Sequence, residues 1–236
     1  MTSTEGHTLK AFDTDLDQLR AVVAEMGGLA EAAIGDAVGA LAEHNAERAA
    51  NVVRDDIKID EMELQVERQV VRLIALRAPM ADDLREVLAA HKIAGVIERM
   101  GDYAKTIAKR EPLLGDVSRF EPLSILPAMA AVVTDMVRDA LDAFAARSPE
   151  KAKSVCLRDP QVDDLYNSMF RALLTHMMEN PHTITASTHL LFVAKSLERI
   201  GDHATNIAEM VYFAATGEQL AERPRGRDFT EATTEK

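Results

Sequence analysis

The chain has 236 residues, of which 47% are hydrophobic and 4% aromatic, and its single cysteine, Cys156, cannot form a disulfide within the chain. A formal net charge of −12 argues against nucleic acid as a partner, because phosphate-backbone binding requires a basic surface. No run of about 18 apolar residues is present and the N-terminus is polar, so we expect no membrane span, no signal peptide and a cytoplasmic protein.

The first half of the chain shows three stretches with helical spacing of apolar residues. After a polar lead-in, a long helix is expected to begin at a cap provided by Asp13 or Thr14. Its glycines either permit the close approach of another helix or are simply tolerated. A second helix is predicted over about 45–77, where Pro79 follows its end, and a third over about 82–110.

The second half repeats this plan after a linker at 114–120. A fourth helix is predicted over about 122–147, a fifth over 148–179 and a sixth over 183–216. Pro160 falls inside the fifth helix, and an interior proline costs about 3 kcal/mol. That helix is therefore expected either to bend at Pro160 or to begin properly only after it.

These elements predict an all-α fold of two tandem antiparallel three-helix bundles, built from six long helices by internal duplication. The first bundle is placed at residues 12–112 and the second at 120–217, with Gly217 ending the last helix. Residues 218–236 are polar and are predicted to form a disordered tail.

The duplication is clearest in a motif of eleven residues that occurs twice, at 98–108 and again 100 residues later at 198–208. Each copy places a glutamate and an aspartate four residues apart, on one face of a helix. The rows they begin are Glu98, Asp102 and Thr106, called here the first ledge, and Glu198, Asp202 and Asn206, called the second ledge.

Further acids fall at the same height as the ledges when the helices are aligned antiparallel at 1.5 Å per residue. Gly101 and Gly201 lie between the acids of each ledge and predict room above them. Carboxylate and amide oxygens are the ligands of hard cations. The candidate metal ligands on neighbouring helices are Asp36, Asp56 and Asp60 in the first half and Asp139, Asp159 and Asp163 in the second.

The residues leave other interpretations open. The acids could be solvated and paired with Arg99, Arg199 or nearby lysines, in a structural bundle that holds no metal. A carboxylate-bridged enzyme of the di-iron type needs Glu-x-x-His on two helices. Gly101 and Gly201 stand where those histidines would be, which counts against such an enzyme.

At these motifs the chain resembles the PhoU family, whose tandem bundles each carry an E-x-x-x-D-x-x-x-N motif. The second ledge matches in full, whereas the first has Thr106 in place of the asparagine. The resemblance covers about residues 12–217 and includes four further strings: Met26-Gly27-Gly28, Arg77-Ala78-Pro79, Asp83-Leu84-Arg85 and Met177-Met178-Glu179.

The resemblance implies several properties that composition does not. Members of this family bind metal clusters, described as iron, zinc, manganese or magnesium, on the motif helices. They are dimers in the cytoplasm and repress phosphate-starvation signalling and phosphate uptake. They do so by linking a subunit of the phosphate ABC transporter to a sensor histidine kinase, and no catalysis of their own is implied.

Overall fold

Helices dominate the computed structural model, which describes the backbone of residues 3–114 and 121–220 and the side chains of 11–114 and 123–220. No strand occurs within these ranges, and the predicted all-α class is confirmed. The helices are α1 (Ser3–Glu43), α2 (Ala46–Asp55), α3 (Ile57–Arg77), α4 (Asp82–Ala108), α5 (Glu111–Leu114), α6 (Ile125–Ala145), α7 (Pro149–Cys156), α8 (Asp159–Glu179) and α9 (Ile184–Thr216), with 3₁₀ turns at Glu121–Ser124 and Pro181–Thr183.

The helices form two three-helix bundles that pack side by side. In the first bundle α1 and α4 pack against the α2–α3 segment, and in the second α6 and α9 pack against α7–α8. Helix α1 lies against α6 and α4 against α9, so buried apolar residues of both bundles form one continuous core. The predicted tandem architecture is confirmed, and the two motif helices, α4 and α9, are in direct contact.

Two predicted helix starts are wrong. Helix α1 begins at Ser3 rather than at Asp13 or Thr14. Residues 3–12 contain no proline that would prevent the helix from extending through them. The fourth predicted helix begins at Ile125, after a 3₁₀ turn, rather than at Pro122. Residues 115–120 of the predicted linker and 221–236 of the predicted tail lie outside the described residues.

The second helix of each bundle is broken, which positions two candidate acids. The predicted helix over 45–77 divides at Asp56, between α2 and α3, where no proline or glycine marks the break. In the second bundle α8 starts at Asp159, with Pro160 in its first turn, where a missing N–H costs little. The helix therefore restarts one residue before Pro160, rather than bending at it or beginning only after it as predicted, and the break at Asp56 was not predicted.

Side-chain caps fix several helix ends as the sequence predicts. The Asn45 side chain accepts a hydrogen bond from the Arg48 amide at 2.9 Å, and Ser148 accepts one from the Lys151 amide at 3.3 Å. Gly217 ends α9 in the left-handed conformation, with φ of 76°.

Gly27 sets the approach of the two bundles at α1 and α6. A Cβ atom on Gly27 would lie 2.1 Å from Cδ1 of Leu141, so only glycine lets Leu141 occupy its present position. Gly28 and Gly35 have open space within 4 Å. Close approach is thus the correct explanation at Gly27, and simple tolerance is correct at the other two.

Candidate metal centre

The acids of the first ledge lie close to acids of the broken helix. Burial, and then the charges of Asp102, Glu63 and Asp60, raise the pKa of Glu98. Burial and the Asp56 charge likewise raise the pKa of Asp60. Helices α3 and α4 therefore bring these carboxylates within electrostatic reach of one another, as the alignment of helix heights predicts.

Asp56, at the break between α2 and α3, is buried and forms an ion pair with a lysine. Its carboxylate accepts a hydrogen bond from Nζ of Lys105 at 2.5 Å, and the same Nζ lies 3.5 Å from Oδ1 of Asp102. These contacts, led by the hydrogen bond to Asp56, raise the pKa of Lys105. The lysine provides the positive charge between Asp56 and the first ledge.

Glu198 is the more buried of the two acids in the second ledge. Oε1 of Glu198 accepts a hydrogen bond from Nζ of Lys195 at 2.7 Å, whereas Oε2 is buried and has no hydrogen-bond partner. Burial raises the pKa of Glu198, and the charges of Asp202 and Asp163 add to this. A carboxylate oxygen that is buried and unpaired is costly, and a cation would offset that cost.

Three other predicted ligands of the second half lie on α8 and α9. Asp159 is buried at the start of α8, Asp163 follows it by one turn, and Asn206 is half-buried on α9 one turn beyond Asp202. Because Asp163 acts on Glu198 electrostatically, α8 and α9 place their acids on a shared surface, as α3 and α4 do in the first bundle.

The predicted open space above the ledges is absent. A Cβ on Gly101 would lie 2.9 Å from Cδ1 of Ile59, and one on Gly201 would lie 3.3 Å from Cγ1 of Val162. Both glycines are buried because α3 and α8 pack directly over them. The glycines therefore bring the broken helices close to the ledges and leave no vacant space over them.

Asp36 and Asp139 lie in ion pairs of their own. Oδ1 of Asp36 accepts hydrogen bonds from Arg48 at 3.0 and 2.9 Å. Oδ2 of Asp139 accepts one from Arg158 at 2.6 Å. Neither aspartate contributes to the pKa shifts of Glu98 or Glu198. These two predicted ligands therefore interact less strongly with the ledge carboxylates than Asp60 and Asp163 do.

The donor atoms of these side chains are of the type that binds a hard cation, but their positions do not form a coordination site. Within 11–114 and 123–220, no three Asp, Glu, His or Cys side chains converge as a metal cage. The donors are nevertheless carboxylate oxygens, several are desolvated, and one is buried and unpaired. Lysines, and not Arg99 or Arg199, pair with the ledge acids. The alternative in which nearby basic residues pair with these acids is therefore correct for the lysines and wrong for the two arginines.

Sequence reasoning missed a contact between the two motif helices. Tyr103 and His203, each following the aspartate of its ledge, stack with ring centroids 5.6 Å apart. Burial, followed by the charge of Arg99, lowers the pKa of His203. Tyr103 and His203 occupy matching positions in the repeat, which was the one sequence feature that could have indicated this contact. The packing of α4 against α9 could not be predicted from one sequence.

The PhoU domain model matches this chain twice, at residues 23–110 and 126–211. The chain belongs to the PhoU family. Each match contains one ledge and its neighbouring acids. The predicted limits of the two units, 12–112 and 120–217, stay predictions.

Relatives of this PhoU family member align over nearly its whole length. The phosphate-specific transport system accessory protein PhoU homologue of Zymomonas mobilis is 57% identical over 95% of this chain and 94% of its own. The homologue of Caulobacter vibrioides is 46% identical over 93% of this chain and 96% of its own.

Two solved PhoU structures share the fold. PhoU from Pseudomonas aeruginosa superposes with a TM-score of 0.81 at 36% identity, covering 88% of this chain and 100% of its own. The phosphate transport system regulatory protein PhoU from Streptococcus pneumoniae gives 0.82 at 30% identity, covering 89% and 99%. No helix in the described part of this chain is long and apolar enough to cross a membrane.

Proposed function

We propose that this protein is a negative regulator of phosphate uptake and phosphate-starvation signalling, and that it acts as an adaptor without catalysis of its own. The observation that carries the proposal is the doubled PhoU match, one copy to each bundle, together with relatives named as accessory proteins of phosphate-specific transport. No observation favours the di-iron alternative, because buried glycines occupy the positions that its histidines require.

The partners follow from the same proposal. In the cytoplasm, the adaptor would contact a subunit of the phosphate ABC transporter and a sensor histidine kinase, and would itself be a homodimer. Sedimentation of the purified chain tests the dimer. Titration of labelled protein with each purified partner tests the two contacts separately. Failure to bind either partner would contradict the adaptor role.

A gene deletion tests the regulatory role directly. In phosphate-rich medium, we expect the deletion strain to express a phosphate-starvation reporter, such as alkaline phosphatase, at the level seen in starved wild-type cells. Reintroduction of the gene should silence the reporter. A reporter that stays silent in the deletion strain would reject the proposal.

We also propose that each half holds a metal ion or metal cluster of iron, manganese, zinc or magnesium on its ledge. Glu98 and Asp102 would bind in the first half with Asp56 and Asp60, and the second ledge would bind with Asp159 and Asp163. The bound cation would neutralise clustered carboxylates and join the broken helix to the motif helix. The buried, unpaired Oε2 of Glu198 supports this proposal.

Elemental mass spectrometry of the tag-free protein tests metal binding. Replacement of Glu98, Asp102, Glu198 and Asp202 by alanine should remove the bound metal. A control variant with the same charge change carries alanine at four exposed acids away from the ledges, Asp13, Glu25, Glu47 and Glu179. Metal retained by the ledge variant, or lost equally from the control, would contradict the assignment.

A further inference from the structure

The motif helices meet in antiparallel register along a surface that we call the seam, formed by Arg99, Tyr103, Arg199 and His203. Near one end of the contact, Nε of Arg85 lies 3.5 Å from the Ala214 carbonyl oxygen. At the other, Arg110 contacts residues early in α9. The start of α4 therefore faces the end of α9, and the two copies of the motif lie side by side.

Two arginines of the seam carry charges that no carboxylate balances. Arg99 and Arg199 are exposed, and neither forms an ion pair or hydrogen bond with any residue in the described ranges. Several other arginines of this acidic protein form ion pairs, as Arg48 does with Asp36 and Arg158 with Asp139, although Arg68 and Arg72 on α3 also form none within the described ranges. The seam thus differs from its surroundings in sign.

The two arginines also approach the same point. The Arg199 guanidinium lies 5.9 Å from the ring centroid of Tyr103, which stacks on His203. Arg99 lies one turn before Tyr103 on the same face of α4, as Arg199 lies one turn before His203 on α9, and both arginines act on His203 electrostatically. Nδ1 of His203 is buried and has no hydrogen-bond partner. Two guanidinium groups and an imidazole nitrogen without a partner therefore converge across the contact between the bundles.

We propose that the seam is a binding site for a tetrahedral oxyanion of the phosphate type, held by Arg99 and Arg199 above the stacked Tyr103 and His203. Guanidinium groups present planar pairs of donors that match phosphate oxygens, and charge-assisted hydrogen bonds of this kind are strong. Like charges from two helices repel each other, and an anion between them removes that repulsion.

The acids nearest to the seam do not form ion pairs with its two arginines. Asp102 and Asp202 precede Tyr103 and His203, one position round their helices, and Asp102 lies beside Lys105 towards α3. The cationic seam therefore lies between two acidic ledges. The site goes beyond the proposed function and requires no metal, so it is tested on the chelator-treated full chain.

Calorimetric titration at constant ionic strength tests the site with two probes, inorganic phosphate and a short phosphoserine peptide. We expect binding that is weakened about tenfold or more in the Arg99→Ala, Arg199→Ala variant, because two charge-assisted contacts are lost. The Arg99→Lys, Arg199→Lys variant keeps the charge but loses the paired donors, and should bind with intermediate affinity. Circular dichroism confirms that each variant is folded.

The matched control is Arg68→Ala, Arg72→Ala, which removes the same charge from exposed positions on α3. It should change the affinity by less than about twofold, because distant exposed charges are screened. Binding of phosphate alone would identify a free anion as the ligand, and tighter binding of the peptide would identify a phosphoryl group carried by a partner. Absence of binding by both probes, equal weakening in the control, or binding only after metal is added would overturn the proposal.

Discussion

The carboxylate of Glu86 on α4 accepts hydrogen bonds from Arg20 of α1 and from Arg147 at the end of α6, which belongs to the other bundle. Glu86 is buried, whereas Arg147 is half-exposed. The Glu86 carboxylate thus links the two bundles, which also share an apolar core, and its removal leaves two arginines facing each other without this shared counter-charge.

Glu86→Ala should therefore lower the free energy of unfolding by about 2 kcal/mol, less than for a fully buried pair because Arg147 is partly solvated. Urea denaturation of metal-free protein measures this change. Glu150→Ala, which breaks only the exposed pair with Lys153, should cost less than about 0.5 kcal/mol and serves as the control. Equal costs for the two variants would show that Glu86 does not join the bundles.

Adjacent glycines on α1 should respond in opposite ways to alanine. Gly28→Ala should raise the free energy of unfolding by up to about 1 kcal/mol, because alanine favours the helix and space is open there. Gly27→Ala should be less stable than Gly28→Ala by at least about 1 kcal/mol, because Leu141 must move. Thermal melts measure both, and adding Leu141→Ala should remove the penalty specific to position 27.

The repeat was the most informative feature of the sequence. It predicts the helix order, the tandem bundles and the height of the acids, because helical rise is constant along the chain. Asp56 and Asp60 reach the first ledge for that reason. Caps such as Asn45 and Ser148 were predictable because their chemistry is local.

Features set by helix rotation and packing were not predictable. The break at Asp56 has no proline or glycine to mark it, so tertiary contacts rather than local propensity place it. The glycines of the ledges were expected to leave space, but Ile59 and Val162 fill it because α3 and α8 approach closely. The contact of Lys105 on α4 with Asp56, at the break between α2 and α3, also depends on rotation.

Removal of Lys105 should expose the cost of the buried Asp56. In metal-free protein, Lys105→Met leaves that carboxylate without its partner and should lower the free energy of unfolding by about 3 kcal/mol. Adding Asp56→Asn should recover most of this loss, since the charge that lacks a partner is then gone. Denaturant titration of the wild type, both single variants and the double variant measures the coupling, and additive effects would contradict it.

The buried carboxylate of Glu198 should make the metal-free protein less stable as pH rises. Its pKa in the folded state lies above the ordinary value of 4.5, so the folded state binds more protons than the unfolded state between those two pKa values. The contribution of Glu198 to the free energy of unfolding therefore falls as pH increases through this range and is constant below it.

Glu198→Gln removes this dependence. Relative to wild type in chelator, the variant should gain about 1 kcal/mol of unfolding free energy between pH 4 and pH 7. Glu25→Gln, at an exposed position on α1, provides the control, because its side chain is solvated in the folded protein. Denaturant unfolding at both pH values gives the comparison. A stability difference between Glu198→Gln and wild type that does not change with pH would show that the buried Oε2 is solvated or paired in solution.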